Sequence, residues 1–499
     1  MHRNLKSLAL FLTATLSQGQ TTYTTELQSA GFNSSFTLSQ AQIEAASLSI
    51  ASVTDVENTS RFDRSQLANG GPAEDDFYTL PALTNTSALE PGVLLKVQDF
   101  ANPSSFTLPP NTALSRILYT TTNLNGTVLP ASAFILWPFQ PRQFKSSSIA
   151  AAAAPVVLWS HGTSGFFASQ APSSHRALWY AHAGPFALAQ AGYAVVAADY
   201  GGLGISASWD GSEIPHQYLA SRVSARDGLY ALRAAWAAFP DLLTKEFVSV
   251  GHSQGGGVSW GVAEVLAEDG EDALADLAAG YLGAISGSPT TDLYTGVPQF
   301  IVPWVSMFLG GIFPAFDPAE WLTPLGLARM NLLREIEGGI SVSQQLFLNT
   351  SGTDGEIFKN SYRSTWYADA YGKLANVGSR PFVGPLLVIQ GTADMYNRYV
   401  VTTKTVDDTC AYLQSRNLGG DLEYVVVNGT YHVPTMDATR PLWLQWIQDR
   451  FEGKPVERNG CVTTNLESFL PIGRYQATGN SYLQWAGTSE YSFETPLGL

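Results

Sequence analysis

Apolar and polar positions along the chain alternate between two patterns. Short, continuous apolar runs, rich in β-branched residues, stand at 155–160 (P-V-V-L-W-S), 193–199, 247–250, 279–285, 385–390 and 423–427. Runs of that length with no polar face suit strands buried on both sides of a parallel sheet. Residues 222–239 instead place Leu229, Leu232, Trp236 and Phe239 at helical spacing, and 258–266 also reads as a helix. Strand and helix in alternation predict an α/β fold, a mostly parallel central sheet flanked by helices on both faces. Upstream, 93–97, 115–121 and 132–137 read as successive strands, with a turn at 123–126 (N-L-N-G).

Three stretches break the pattern. Residues 1–19 have a basic start (His2, Arg3, Lys6), an apolar centre from Leu8 to Leu16 and small residues at Ser17-Gln18-Gly19, the form of a secretory signal peptide. Residues 20–74 are rich in Ser, Thr, Gln and Asn with weak periodicity, an N-terminal extension either wrapped on the surface or partly disordered. About a hundred residues separate the strand ending at 285 from the one starting at 385, too many for a simple crossover. The expected layout is therefore a core of 75–286 and 381–461, a helical cap or lid insertion at 287–380, and a C-terminal tail at 462–499. Within the insertion, 300–313 (F-I-V-P-W-V-S-M-F-L-G-G-I-F) holds no charge and is too short to span a bilayer. Pro303 and Gly310-Gly311 interrupt it, so a short helix with a glycine hinge is expected rather than one rigid helix.

The strand exits carry the candidate chemistry. The run F-V-S-V-G-H-S-Q-G-G-G (247–257) reads as strand, sharp turn and helix, with Ser253 at the tip of a nucleophile elbow. Gly251 and Gly255 leave room where the two backbones crowd, and the helix N-terminus points free N–H groups at the site. The strand at 155–160 runs into H-G-T-S-G (161–165), which nominates the Thr163 and Gln254 amides as an oxyanion hole. His161 reads as a brace for that loop, and Asp199, at another strand end, as structural. The Y-G-G-L-G loop (200–204) lacks the spacing of a phosphate-binding loop. Asp394, in G-T-A-D, and His432, in G-T-Y-H, each follow a later strand. His432 is expected after the last strand of the sheet. The order Ser253, Asp394, His432 is that of the α/β-hydrolase triad, unlike the His-Asp-Ser and Asp-His-Ser orders of the chymotrypsin and subtilisin folds.

Charge and composition narrow the partners. A formal net charge of −15, or −17 without the leader, disfavours nucleic acid and anionic headgroups. The two cysteines, Cys410 and Cys461, read as one disulfide in a secreted chain. Sequons at Asn33, Asn58, Asn85, Asn125, Asn349 and Asn428 suit the same export route and a glycoprotein. No metal-ligand pattern is present in the sequence, and no cofactor is expected.

From about Asp75 to Cys461 the chain resembles the fungal secretory lipases of the yeast lipase-A type, a family with bacterial relatives. The segments are V-V-L-W-S-H-G-T-S-G (156–165), A-D-Y-G-G-L-G (198–204), P-H-Q-Y-L (215–219), G-H-S-Q-G-G (251–256), G-T-A-D (391–394) and G-T-Y-H-V-P (429–434). The resemblance implies an α/β-hydrolase core, a helical lid, Ser253, Asp394 and His432 as the triad, and cofactor-free carboxylic-ester hydrolysis. The expectation is thus a secreted, monomeric lipase or esterase acting on lipophilic substrates, with activity falling at acid pH as a histidine base is protonated. Acyl transfer and hydrolysis of a specialised natural-product ester use the same triad. A non-catalytic adhesion module is disfavoured by the complete triad.

Overall fold

The computed structural model describes residues 36–83, 89–144, 153–268, 272–296, 301–347 and 356–475. The leader, Asn33, Asn85, Asn349 and residues 476–499 lie outside them.

Ten strands form one sheet: β1 (Leu94–Gln98), β2 (Ala113–Thr122), β3 (Val128–Trp137), β4 (Ala154–Ser160), β5 (Ala194–Ala198), β6 (Leu243–His252), β7 (Tyr281–Gly287), β8 (Pro385–Gly391), β9 (Asp421–Val427) and β10 (Cys461–Leu466). Their order is β1-β2-β3-β5-β4-β6-β7-β8-β9-β10. Pairing is antiparallel from β1 to β5 and parallel from there to β10. The exits of the parallel strands therefore share one edge, where ligands of open α/β sheets gather.

The apolar runs have the cause expected of them. In β4, Val156 and Leu158 pack on one side of the sheet and Val157 and Trp159 on the other, so both faces must be apolar. The helices are α1 (Gln40–Ala45), α2 (Ile50–Ser65), α3 (Pro185–Gln190), α4 (Ser221–Ala238), α5 (Gln254–Val265), α6 (Ala275–Gly280), α7 (Leu293–Gly296), α8 (Ile301–Ile312), α9 (Pro324–Glu335), α10 (Ile340–Phe347), α11 (Trp366–Ala375), α12 (Tyr399–Ser415), α13 (Pro434–Ala438) and α14 (Arg440–Phe451). On α4, Leu229, Leu232 and Trp236, with Phe239 just beyond its end, bury against the Val156 side. No helix among the described residues is long and apolar enough to cross a membrane.

Four expectations are corrected. Pro303 and Gly310-Gly311 do not interrupt the apolar run: over the described residues α8 (Ile301–Ile312) is one continuous helix. Pro303 sits in its first turn, where no backbone N–H is required, and the exposed Gly310-Gly311 pair falls in its last turn. The N-terminal extension, expected as a surface wrap or partly disordered with weak periodicity, is helical over much of its described part. Ser39 and Ser49 cap α1 and α2, and the pair lies on the insertion through Gln42 to Glu335 (2.9 Å) and Arg329 to the Ala46 carbonyl (3.2 Å). β9 is not the last strand, because β10 pairs parallel to it along six residues. Accordingly the tail does not begin at 462: Val462 to Leu466 belong to the sheet. An edge strand reading C-V-T-T-N-L, with alternate residues exposed, offers no apolar run to find. Cys410 and Cys461 form a disulfide that joins α12 to this edge strand across 51 residues containing His432. In the chain-entropy picture a loop of that size stabilises by about 4 kcal/mol.

The described part of the insertion is helical, α7 to α11, apart from short 3₁₀ turns. Its aromatic rings form one cluster: Trp321 meets Phe316 at 5.2 Å and Tyr362 at 5.5 Å between centroids.

Candidate active site

Ser253 sits where β6 turns into α5, with φ 61° and ψ −122°. A non-glycine residue at such angles is strained and persists only when its surroundings fix it. They do. A Cβ on Gly251 would come within 1.9 Å of the Gly255 carbonyl oxygen, and one on Gly255 within 1.9 Å of the Ser160 carbonyl oxygen. The Ser253 amide donates to the Gly287 carbonyl (2.9 Å), and Thr290 donates to the Ser253 carbonyl (3.2 Å). The turn is thereby tied to the exit of β7. The Ser253 side chain is half-buried and makes no hydrogen bond among the described residues.

Asp394 lies three residues past β8, and His432 five past β9. The His432 Nδ1 is 2.7 Å from Asp394 Oδ2. The same oxygen accepts from Gln390 Nε2 (3.0 Å), and Oδ1 accepts from the Tyr396 and Asn397 amides (2.9 Å each). Burial alone pushes the Asp394 carboxyl up, but His432, Asn397 and Gln390 together outweigh it and hold it below the usual aspartate range. The carboxylate thus stays charged and fixes the imidazole with Nδ1 protonated, leaving Nε2 free as a base.

His252, beside Ser253, links the two loops; sequence reasoning missed its contacts. Its ring lies 4.5 Å from that of His432 between centroids. Its Nε2 is 3.1 Å from the His432 carbonyl and its Nδ1 2.7 Å from the Tyr180 hydroxyl. A carbonyl only accepts, so Nε2 carries the proton and Nδ1 accepts from Tyr180. Burial, with His432 nearby, pushes the His252 pKa down to about 3, so it remains neutral. Ser288 donates to the same His432 carbonyl (3.2 Å). The only sequence signal was a histidine between Gly251 and Ser253, which is not enough to name a partner 180 residues away.

The loop at 161–165, the candidate oxyanion segment, approaches Ser253 from the exit of β4. A Cβ on Gly162 would lie 3.0 Å from the Ser253 Cβ and 2.0 Å from the Tyr180 hydroxyl. The Thr163 hydroxyl donates to Gln254 Oε1 (3.0 Å) and meets Tyr218 Oη at 2.9 Å. The amides of Thr163 and Gln254 have no acceptor among the described residues. His161 braces this loop: its Nδ1 is 2.8 Å from the Gly162 carbonyl, and its ring stacks on Tyr200 at 4.1 Å. Burial lowers its pKa to about 4, so it too stays neutral. Asp199 is fully buried and accepts from the Ser132 hydroxyl and the Ser173 amide and hydroxyl, turned into the scaffold. Among the described residues no cluster could hold a metal ion.

Helix α8 of the insertion packs on this loop. Trp304 and Phe308 of α8 lie 5.2 and 6.1 Å from Phe166 between ring centroids, and Trp304 is 6.3 Å from Tyr218. Of the remaining sequon residues, Asn58, Asn125 and Asn428 are exposed.

A mostly parallel sheet with an elbow serine, and an acid and a histidine at later strand exits, defines an α/β-hydrolase fold. Solved structures agree. Candida antarctica lipase A matches over 83% of this chain and 93% of its own (TM-score 0.58, 15% identity), and its closed state over 79% and 90% (0.57, 15%). A ligand-bound rice cell wall degrading esterase, LipA from Xanthomonas oryzae, matches over 72% and 98% (0.52, 16%). No protein-family model matches the chain, and no curated protein matches it in sequence.

Proposed function

We propose that this protein is a serine hydrolase of carboxylic esters, with Ser253 as nucleophile, His432 as base and Asp394 as its partner. The observation that carries the reading is the 2.7 Å contact of His432 Nδ1 with a buried carboxylate, while the His432 carbonyl is bonded to the residue preceding the strained Ser253. Ser253 Oγ attacks the ester carbonyl carbon and gives its proton to His432 Nε2. The Thr163 and Gln254 amides hold the resulting oxyanion. Collapse expels the alcohol, which takes the proton from Nε2, and leaves an acyl-serine. Water then attacks the acyl carbon with His432 again as base, releasing the acid and freeing Ser253.

The substrate class is lipophilic esters, as in the fungal secretory lipases that the motifs resemble, and α8 acts as a cap over the acyl site. Secretion is supported by the leader-like residues 1–19, the disulfide and three exposed sequons. Hydrolysis of p-nitrophenyl butyrate by the purified protein tests the reaction. The Ser253→Ala variant should lose at least about 10³-fold in kcat and keep its thermal unfolding midpoint. Turnover within tenfold of the parent would remove Ser253 as nucleophile.

A further inference from the structure

Beside the oxyanion loop lies a cavity of about 540 Å³. Its walls come from α2, the loop at Ser164, the segment from Ala168 to Trp179, the turn at Gly204 and the connection between α9 and α10. Ser164 is two residues from Gly162. At 3.8 Å per Cα step, this wall stands within roughly 8 Å of the backbone that touches Ser253.

Four lining residues carry polar side-chain atoms that are buried and lack a hydrogen-bond partner: Ser60 Oγ, Asp63 Oδ2, Ser164 Oγ and Trp179 Nε1. An orphaned buried polar atom costs on the order of 1–3 kcal/mol, so a group of them around one cavity calls for an occupant. Trp179 is also held in strain, at φ 64° between Leu178 at 50° and Ala181 at 43°. His175 fixes it there by accepting from its amide (3.3 Å) and from that of Ala177 (3.2 Å). The remaining walls include Leu67, Ile205 and Ile340, which are apolar.

We propose that this cavity is a substrate subsite for a neutral, hydroxylated part of the ester, with the N-terminal helix α2 supplying its acceptor. The inference rests on Ser253 being the nucleophile. The polar set decides the ligand chemistry. Asp63 accepts, the Trp179 indole donates, and the Ser60 and Ser164 hydroxyls do either, which matches groups that both donate and accept. Arg64 lines the cavity next to Asp63 and offsets its charge, so the hydroxyls and the indole favour a neutral group. The apolar walls take the carbon skeleton between the hydroxyls. In this arrangement the extension outside the hydrolase core selects the substrate.

Two matched ester pairs test it. Monobutyrin against propyl butyrate puts the hydroxyls on the alcohol side, and ethyl 6-hydroxyhexanoate against ethyl hexanoate puts one on the acyl side. The native protein should favour the hydroxylated member of at least one pair in kcat/KM. Asp63→Leu and Trp179→Phe should each lower that preference about tenfold, and which pair responds locates the cavity's side of the ester. An unchanged ratio in both pairs for both variants overturns the subsite. Calorimetric titration of Ser253→Ala with 1-monooctanoin separates this failure from failure of the catalytic reading, because it needs no turnover. Adding Asp63→Leu should weaken that Kd about tenfold, and an equal Kd overturns the subsite even if no ester is hydrolysed.

Discussion

The two sides of Ser253 are built differently. On the acid–base side the groups that hold His432 in place are all partnered, and only its Nε2 and the Ser253 hydroxyl are left without a hydrogen bond among the described residues. Asp394 accepts from His432, Gln390, Tyr396 and Asn397, and the His432 carbonyl accepts from His252 and Ser288. On the oxyanion side the Thr163 and Gln254 amides, Gln254 Nε2, Ser164 Oγ and Trp179 Nε1 have none among the described residues. The first arrangement fixes geometry before substrate arrives. In the proposed reaction the second keeps donors unused, at a cost in stability: the two amides for the oxyanion, Ser164 and Trp179 for the neutral hydroxyls of the substrate. Around Ser253, then, the groups that hold His432 are saturated and the unpartnered donors lie on the opposite side.

Breaking the saturated side should have the largest effect. Asp394→Asn leaves the shape but removes the charge that holds the imidazole tautomer, and kcat should fall about 10³–10⁴-fold. Stopped or steady-state assay on a soluble ester checks this; a loss under tenfold would mean that the contact only packs. Disturbing the unsaturated side should cost less. Gly162→Ala drives a Cβ into the Tyr180 hydroxyl and against Ser253, so the loop must shift and kcat should drop about 10²-fold with KM changed little. Kinetics within twofold of the parent would place the oxyanion donors elsewhere.

Smaller again is the contribution of the cap. Trp304→Ser removes an apolar ring from the α8 face over Phe166 and Tyr218. Hydrolysis of long-chain emulsions should fall several-fold relative to a dissolved short-chain ester; equal change on both would make α8 ordinary core. No effect on turnover is expected from a saturated group remote from the reaction, whose change is read in stability instead. Burial pushes the Asp199 carboxyl up to about 6, against the Ser132 and Ser173 hydrogen bonds and Arg116, from a reference of 3.8. A raised folded-state pKa stabilises below the unfolded value and loses that contribution as pH rises through the folded one. Asp199→Asn lacks this titration. Its stability relative to the parent should therefore improve by roughly 2–3 kcal/mol between pH 4 and pH 7, read from urea midpoints. A constant difference would contradict the shift.

Much of this architecture was legible from the apolar runs, because β4, β5, β6, β8 and β9 are buried on both faces and leave no choice of pattern. The triad candidates were legible because each follows such a run. β10 was not, being a polar edge strand that gains its place from pairing with β9 and from the disulfide at Cys461. The continuity of α8 was misjudged because Pro303 and the glycine pair weaken a helix only in its interior, and each falls in a terminal turn. α1 and α2 escaped notice because their sequences are polar and they are held by capping and by contact with the insertion. His252 and the cavity at Trp179 depend on contacts across many residues, which no local spacing encodes.

Labelling with a fluorophosphonate probe tests the central claim most directly. An activated serine forms a covalent adduct, whereas an idle hydroxyl does not. The native protein should be labelled stoichiometrically, with the adduct on the peptide containing Ser253, and Ser253→Ala should take up none. Equal labelling of Ser253→Ala, or an adduct on another residue of the native protein, would contradict Ser253 as the nucleophile.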